Sequence, residues 1–152
     1  MIGFKVLLVD DEVVFTENMS SLLTTRGYQV TAVNNGESAI RALEEKDFDV
    51  VVLDLKMPGM DGMATLKEIK KLGLFTEILI LTGHGAIDTA MEAVKLGAYD
   101  YLTKPCDIDE LTDKIEEART KKDNGERKEL NNKIKKVVES PKAAFSLFKR
   151  KK

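Results

Sequence analysis

The chain has 152 residues, of which 43% are hydrophobic and 33% charged, with a net charge of −2. This length allows one domain with a hydrophobic core plus an appendage, and the composition excludes a disordered or collagen-like chain. No apolar run approaches the roughly 20 residues of a membrane span, no secretory leader is visible, and a single cysteine excludes an internal disulfide, so we expect a soluble, cytoplasmic protein.

Strand-like and helical patterns alternate along the first 120 residues. Strands are predicted at 5–9, 28–33, 50–53, 78–82 and 99–102. The first, third and fourth consist almost entirely of Val, Ile and Leu, which is typical of parallel strands covered on both faces. Five β-α units with right-handed connections therefore predict an α/β fold, a flavodoxin-like, doubly wound parallel sheet with strand order 2-1-3-4-5 and helices on both faces.

Between the strands, apolar residues recur at helical spacing. The stripes comprise Phe15, Met19, Leu22 and Leu23; Ala39, Ile40 and Leu43; Met63, Leu66 and Ile69; Ile87, Ala90, Met91 and Val94; and Leu111 and Ile115. Asn35, Asp61 and Asp107 are predicted to cap helix starts, and Gly27 and Gly97 to follow helix ends. We expect the methionines and phenylalanines of these stripes to lie in the core rather than at a cofactor site.

Charge is divided unevenly along the chain. Residues 1–120 carry 12 Lys/Arg against 22 Asp/Glu, whereas residues 121–152 carry 12 against 4. The turn signal Asp123-Asn124-Gly125 indicates a boundary near this point. We therefore expect a folded domain at 1–120, followed by a basic amphipathic tail or linker at 121–152, helical or disordered, that is not a separate folded domain.

Residues suited to phosphoryl chemistry stand at four strand ends. Asp10 and Asp11 follow the first strand, Asp54 follows the third, Thr82 ends the fourth, and Lys104 follows the fifth closely. Ligands of parallel α/β sheets bind at the carboxyl ends of the strands, near the switch point, here between strands 1 and 3. Three carboxylates crowded there repel one another, and Mg²⁺, which prefers oxygen ligands, would relieve the repulsion.

A carboxylate such as Asp54 can attack phosphorus and form an aspartyl phosphate. Lys104 would neutralise charge on the transferred group, and the Thr82 hydroxyl would bond one of its oxygens. Taken singly, a helix-capping acid pair, a strand-end threonine and a surface lysine are ordinary features. Their joint placement at strand ends favours the functional interpretation.

Four segments carry a resemblance to a known family. They are LLVDDE (7–12), VLDLKMPGMDG (52–62), LTGHG (81–85) and GAYDYLTKP (97–105). In order and spacing, over about residues 1–120, they closely resemble the receiver domain of bacterial two-component response regulators. The last two segments particularly resemble receivers of enhancer-binding transcription activators.

The resemblance implies a role for each matching residue. Asp54 is implied to accept a phosphoryl group from the phosphohistidine of a sensor histidine kinase or phosphotransfer protein. Asp11 is implied to bind Mg²⁺ directly and Asp10 mainly through water, with Asp54 and the backbone carbonyl of Lys56 as further ligands.

The resemblance also implies a conformational response. Thr82 and Tyr101 correspond to a switch pair, in which the threonine moves toward the phosphoryl group and the aromatic ring turns inward. The Lys104-Pro105 bond is implied to be cis. Lys56 and His84 occupy positions that tune phosphoaspartate lifetime in the family, while Cys106 is expected to be a small buried thiol rather than a redox sensor.

The function expected from this resemblance is a signalling switch rather than an enzyme, apart from its own phosphotransfer and autodephosphorylation. Its downstream partner would bind the face of residues 86–118, and a phosphorylation-dependent homodimer is also open. The length favours a stand-alone receiver, and the alternative is the receiver of a transcription activator with separate ATPase and DNA-binding domains.

Two rival classes fit the sequence poorly. An aspartyl-nucleophile phosphatase would have a second Asp where this chain has Lys56. A nucleotide- or flavin-binding domain would have a glycine-rich phosphate loop after the first strand, where this chain has acids.

The tail leaves three partners open. Leu130, Ile134, Val137 and Val138 form an apolar stripe on a basic helix, which Ser140-Pro141 is expected to end. This stripe favours pairing with a partner helix. The following Phe145, Leu147 and Phe148, with the basic end, would instead suit an anionic membrane surface, or nucleic acid through charge alone.

Overall fold

Five parallel strands form one sheet in the computed structural model, which describes residues 3–57 and 59–139. The strands are β1 (Lys5–Val9), β2 (Gln29–Val33), β3 (Val50–Leu53), β4 (Glu77–Gly83) and β5 (Asp100–Lys104). They lie in the order β2-β1-β3-β4-β5, and every neighbouring pair is parallel. The predicted fold and strand order are therefore confirmed, and the switch point lies between β1 and β3.

Within the described residues, five α-helices and one 3₁₀ turn connect and cover the strands. They are α1 (Val13–Thr25), α2 (Gly36–Glu45), α3 (Gly62–Lys71), the 3₁₀ turn (His84–Ala86), α4 (Ile87–Lys95) and α5 (Ile108–Glu139). The predicted caps are formed: the side chains of Asn35, Asp61 and Asp107 each accept a backbone N–H three residues on, at 2.8 Å. No helix among these residues is long and apolar enough to cross a membrane.

The sheet separates two hydrophobic clusters, because successive side chains of a strand point to opposite faces. On one face, strand residues pack with α2, α3 and α4 around Leu66, Ile69 and Ala90. On the other, they pack with α1 and α5 around Leu23, Leu111 and Ile115. Each fully buried Leu or Ile contributes about 1.5–3 kcal/mol, so both layers of helices hold the strand ends in place.

Two residues of the predicted core stripes lie on the surface. Leu22 is 47% exposed and Met91 is 49% exposed, whereas the neighbouring Leu23 and Ala90 are fully buried. Adjacent helical positions are about 100° apart, so a helix that contacts the sheet along one narrow face buries only one of two consecutive apolar residues. The prediction that Met91 belongs to the core was wrong, and Phe15 is only half-buried.

The last two strands are longer than predicted. Thr82 pairs with Thr103, and Gly83 pairs with Lys104, so Lys104 lies within β5 rather than beyond its end, and β4 continues one residue past Thr82. Each strand supplies the hydrogen-bonding partners that extend the other. Thr82 and Lys104 thus lie within strands, whereas Asp10, Asp11 and Asp54 directly follow β1 and β3.

The turn predicted at Asp123-Asn124-Gly125 is not formed, because α5 continues through it to Glu139. Ion pairs attach this region to the domain: Lys121 lies 3.4 Å from Glu77, and Lys122 lies 2.7 Å from Asp49. An interior glycine costs a helix only about 1 kcal/mol, which the intact hydrogen-bond ladder outweighs. The domain boundary near residue 120 stays a prediction.

Of the predicted tail stripe, Leu130 and Ile134 lie on α5 and are 58% and 52% exposed. The side chains of Val137 and Val138 lie outside the described part of the structure. So do the expected break at Ser140-Pro141, the three apolar residues Phe145, Leu147 and Phe148, and the basic end.

Gly62, the first residue of α3, packs so closely that we expect alanine there to destabilise the domain. An added Cβ would lie 2.2 Å from Leu55 Cα and 2.4 Å from the Asp54 carbonyl oxygen, and backbone atoms yield little. Gly62→Ala should lower the free energy of unfolding by about 3 kcal/mol in urea denaturation. Gly125→Ala is the matched control, since its Cβ would meet nothing within 4 Å. Equal midpoints for both variants would contradict the close approach.

Candidate functional site

Three carboxylates meet at the carboxyl ends of β1 and β3. The carboxylate oxygens of Asp10, Asp11 and Asp54 lie within 4.8 Å of one another. The backbone sets this geometry, because Asp10 N–H donates to Val33 at 3.2 Å and Asp54 N–H donates to Val9 at 3.0 Å, which continues the ladder past both strands. Asp10 and Asp54 are buried, whereas Asp11 is exposed.

Lys104, at the end of β5, reaches across the strand ends to this cluster. Its Nζ lies 2.5 Å from Asp10 Oδ2, 3.5 Å from Asp54 Oδ2 and 3.6 Å from Glu12 Oε2. The lysine side chain is only 15% exposed. The largely buried Lys104 ammonium therefore lies within 3.6 Å of three carboxylates, those of Asp10, Asp54 and Glu12.

The pKa shifts in this cluster follow from burial and from the surrounding charges. Burial raises the pKa of Asp10, and hydrogen bonds from Lys104 and from Glu12 N–H oppose that rise without cancelling it. For Lys104, burial alone would lower the pKa, but the hydrogen bond to Asp10 and the charges of the surrounding carboxylates outweigh it, so the pKa is raised. Lys104 thus stays in its charged form. The raised pKa of Asp10 reflects the cost of burying its negative charge.

The two oxygens of Asp54 have different surroundings. Oδ1 accepts hydrogen bonds from Thr82 Oγ1 at 2.8 Å and from Lys56 N–H at 3.2 Å. Oδ2 faces the Lys104 ammonium at 3.5 Å. Thr82 is fully buried, and its hydroxyl lies beside the carboxylate, away from water.

The remaining predicted residues lie around this centre. Tyr101, opposite Ile80 on the neighbouring β4, packs half-buried against the cluster of α2, α3 and α4 and does not line the cleft at Asp54. His84 is exposed in the 3₁₀ turn. The Lys104-Pro105 bond is cis.

Burial, with the nearby carboxylates of Glu110 and Asp107, raises the pKa of the half-buried Cys106 thiol to about 11.

Two residues that sequence reasoning did not assign to the site line the same open cleft, which has a volume of about 540 Å³. Glu12 reaches Lys104 with its carboxylate, and the ring centroid of Phe15 lies 4.3 Å from Lys104 Nζ. Glu12 follows the acid pair directly, which was a usable signal. Phe15 has the spacing of a core residue, so its contact with the lysine carried no sequence signal.

Comparisons with known proteins agree with this geometry. The family model described as "Response regulator receiver domain" matches residues 6–116. The transcriptional regulatory protein ZraR of Escherichia coli K12 is 43% identical over 116 residues, covering 76% of this chain and 26% of that protein. The transcriptional regulatory protein FixJ of Bradyrhizobium diazoefficiens is 40% identical over 113 residues, covering 74% of this chain and 55% of that protein.

A solved structure shows the same fold. The receiver domain protein from Clostridium thermocellum superposes with a TM-score of 0.75 at 38% identity, covering 79% of this chain and 97% of that one. The chain spans only about a quarter of the length of its ZraR relatives. The matched region contains all three carboxylates, Thr82 and Lys104, and the chain belongs to the family of response regulator receiver domains.

Proposed function

We propose that this chain is a phosphorylation-driven switch of a two-component system, in which Asp54 accepts a phosphoryl group from a phosphohistidine. The donor is a sensor histidine kinase or a phosphotransfer protein. The observation that carries the proposal is the placement of Asp54 in an open cleft, with Oδ1 held by two hydrogen-bond donors and Oδ2 facing the Lys104 ammonium.

In the proposed Mg²⁺-dependent transfer, a carboxylate, an ammonium and a hydroxyl at this rim act on the phosphoryl group of the donor. Asp54 Oδ2 attacks phosphorus, an O–P bond forms, and the P–N bond to the donor imidazole breaks with its electron pair leaving on nitrogen. The Lys104 ammonium is close enough to neutralise charge on a phosphoryl oxygen as it arrives. Thr82 supplies a second contact, since its hydroxyl can exchange Asp54 Oδ1 for a phosphoryl oxygen.

The carboxylates fit a magnesium ion. Asp11 is exposed and, among the described residues, makes no hydrogen bond or ion pair, so its oxygens are open to a cation. Both oxygens of Asp10 already have partners, Glu12 N–H and Lys104, which suits a role through water. Asp54 and the carbonyl oxygen of Lys56 complete the proposed ligands. When bound, Mg²⁺ would supply positive charge to the carboxylates and the phosphoryl oxygens.

The switch follows from the position of Thr82 between the site and the core. Its move toward the phosphoryl group would favour the inward position of Tyr101, biasing an existing equilibrium between two conformations. A downstream protein would bind the face of residues 86–118. Met91 and Leu96 expose apolar surface there. A phosphorylation-dependent homodimer through this face is the second candidate. Autodephosphorylation would end the signal, at a rate tuned by Lys56 and His84.

The output of the switch has two candidates. A stand-alone receiver would act through a partner protein. The similarity to the amino-acid sequence of ZraR, a transcriptional regulatory protein of which this chain covers a quarter, favours the regulatory portion of a transcription activator instead. Either form would work with ATP-dependent kinases, so we propose a cytoplasmic location. The aspartyl-phosphatase alternative gains no support, since Lys56 stands where a second Asp is needed.

The α5 extension is proposed to contact a partner. Leu130 and Ile134 present adjacent exposed apolar side chains one helical turn apart, which suits pairing with another helix. An anionic membrane and nucleic acid are the alternatives. Both would bind more weakly as salt is raised, whereas helix pairing would not.

Asp54→Ala should abolish phosphorylation by radiolabelled acetyl phosphate, because no other carboxylate in residues 3–57 and 59–139 contacts both Lys104 and Thr82. Asp88→Ala, which removes an exposed carboxylate on α4, is the matched control and should keep the wild-type rate. Hydroxylamine-labile label at the wild-type level in Asp54→Ala would show that the acceptor is another carboxylate.

Magnesium should stabilise the wild-type protein, since it binds the folded cluster and relieves carboxylate repulsion. At ten times its dissociation constant, a ligand of the folded state adds about 1.4 kcal/mol, which a thermal melt with and without Mg²⁺ would detect. Asp11→Asn should remove most of this increment, whereas Asp88→Asn should retain it. An unchanged melting temperature for the wild type in millimolar Mg²⁺ would contradict the proposed metal site.

Cys106 should behave as a weakly reactive thiol, which argues against redox sensing. With a pKa of about 11, its alkylation by iodoacetamide should accelerate about tenfold per pH unit up to pH 10 without a plateau, because only the thiolate reacts. The same chain in denaturant is the control and should level off nearer the ordinary thiol pKa. A plateau below pH 8 in the folded protein would identify an activated thiol.

A further inference from the structure

The first turn of α1 places the aromatic ring of Phe15 next to the ammonium of Lys104. The ring centroid of Phe15 lies 4.3 Å from Lys104 Nζ, within the roughly 6 Å over which a cation is attracted to a ring face. Phe15 is half-buried and lines the same cleft as Asp54. The ammonium of Lys104 is therefore in contact with both carboxylates and an aromatic face.

The lysine needs such a restraint. Its four-carbon stem is flexible, and its ammonium is a compact point charge that hydrates strongly. In this structure its shortest contact is with Asp10, at 2.5 Å, while Asp54 Oδ2 is 3.5 Å away. To bind an arriving phosphoryl oxygen, Nζ must give up part of its contact with Asp10 without swinging out into water.

We propose that Phe15 is a positioning residue for Lys104 in the phosphotransfer reaction proposed above, on which this inference rests. A ring face attracts a cation over a broad area rather than along one direction, so Nζ can move from Asp10 toward the phosphoryl group while it keeps this contact. Glu12 cannot do the same, because its carboxylate is 63% exposed and water screens its pairing at 3.6 Å.

A purely structural role for Phe15 must be separated from this one, because the side chain also packs against the cluster of α1 and α5. The test is the rate of phosphorylation by acetyl phosphate in Mg²⁺. Phe15→Leu, which keeps an apolar side chain without a ring, should slow it about threefold to tenfold. Phe15→Tyr keeps the ring face and should stay within about twofold of the wild type.

A double-mutant cycle locates the effect. In the background Lys104→Met, Phe15→Leu should cause no further loss, because Phe15 acts through the ammonium. An equal fold-loss in both backgrounds would assign Phe15 to packing and overturn the inference. If Phe15→Leu proves unfolded by circular dichroism, mono-, di- and trifluorinated phenylalanine at position 15 replace it. The rate should then fall stepwise as the ring face loses negative charge, and a flat series would overturn the inference.

Failure of the inference and failure of the proposed function remain distinguishable. If the wild type is phosphorylated and Lys104→Met is slower, but Phe15→Leu matches the wild type, only the role of Phe15 is wrong. If the wild type takes up no phosphoryl group from acetyl phosphate while Mg²⁺ still raises its melting temperature, the proposed function is wrong and the inference falls with it.

Discussion

The burial of negative charge at the ends of β1 and β3 is the constraint on which the rest of the site depends. Asp10 and Asp54 are almost inaccessible to water, and a single ammonium, that of Lys104, stands among them. Buried carboxylates of like charge are costly unless they are paired. The cluster therefore carries more negative than positive charge, which supports the proposal that a magnesium ion binds there.

Helices on both faces of the sheet pack close to this buried carboxylate cluster. On one side, α1 brings Phe15 to the lysine that serves the carboxylates. On the other, Thr82 donates a hydrogen bond to Asp54, and Tyr101 packs against the cluster of α2, α3 and α4. Since β4 and β5 carry Thr82, Tyr101 and Lys104, a shift of these two strands would reach both sides at once.

Helix α5 extends this connection beyond the sheet. Lys114 pairs with Asp100 at the start of β5, and Lys121 pairs with Glu77 at the start of β4. Ion pairs thus link the two strands that carry the proposed switch residues to the helix that carries Leu130 and Ile134. Water reaches at least one partner of each pair, so we expect their contribution to stability to be modest.

Much of this molecule was predictable because its signals are local or periodic. Runs of Val, Ile and Leu predicted β1 and β3, side-chain caps predicted the starts of α2 and α3, and parallel topology predicted that Asp10 and Asp54 would meet. Their proximity needs only the rule that the carboxyl ends of parallel strands share one edge. The cap residues act on backbone groups within three positions of themselves, so they too need no tertiary information.

Other features depend on neighbours that are distant in sequence. The partner strands decided where β4 and β5 end, and the packing angle of α1 decided that Phe15 would contact Lys104 while Leu22 faces water. The turn signal Asp123-Asn124-Gly125 failed for the same reason, because the docking of α5 through Lys121 and Lys122 favours a continuous helix. The sequence by itself determined which residues could form the site; only the tertiary structure decided which ring holds its lysine, because that contact joins residues 89 positions apart.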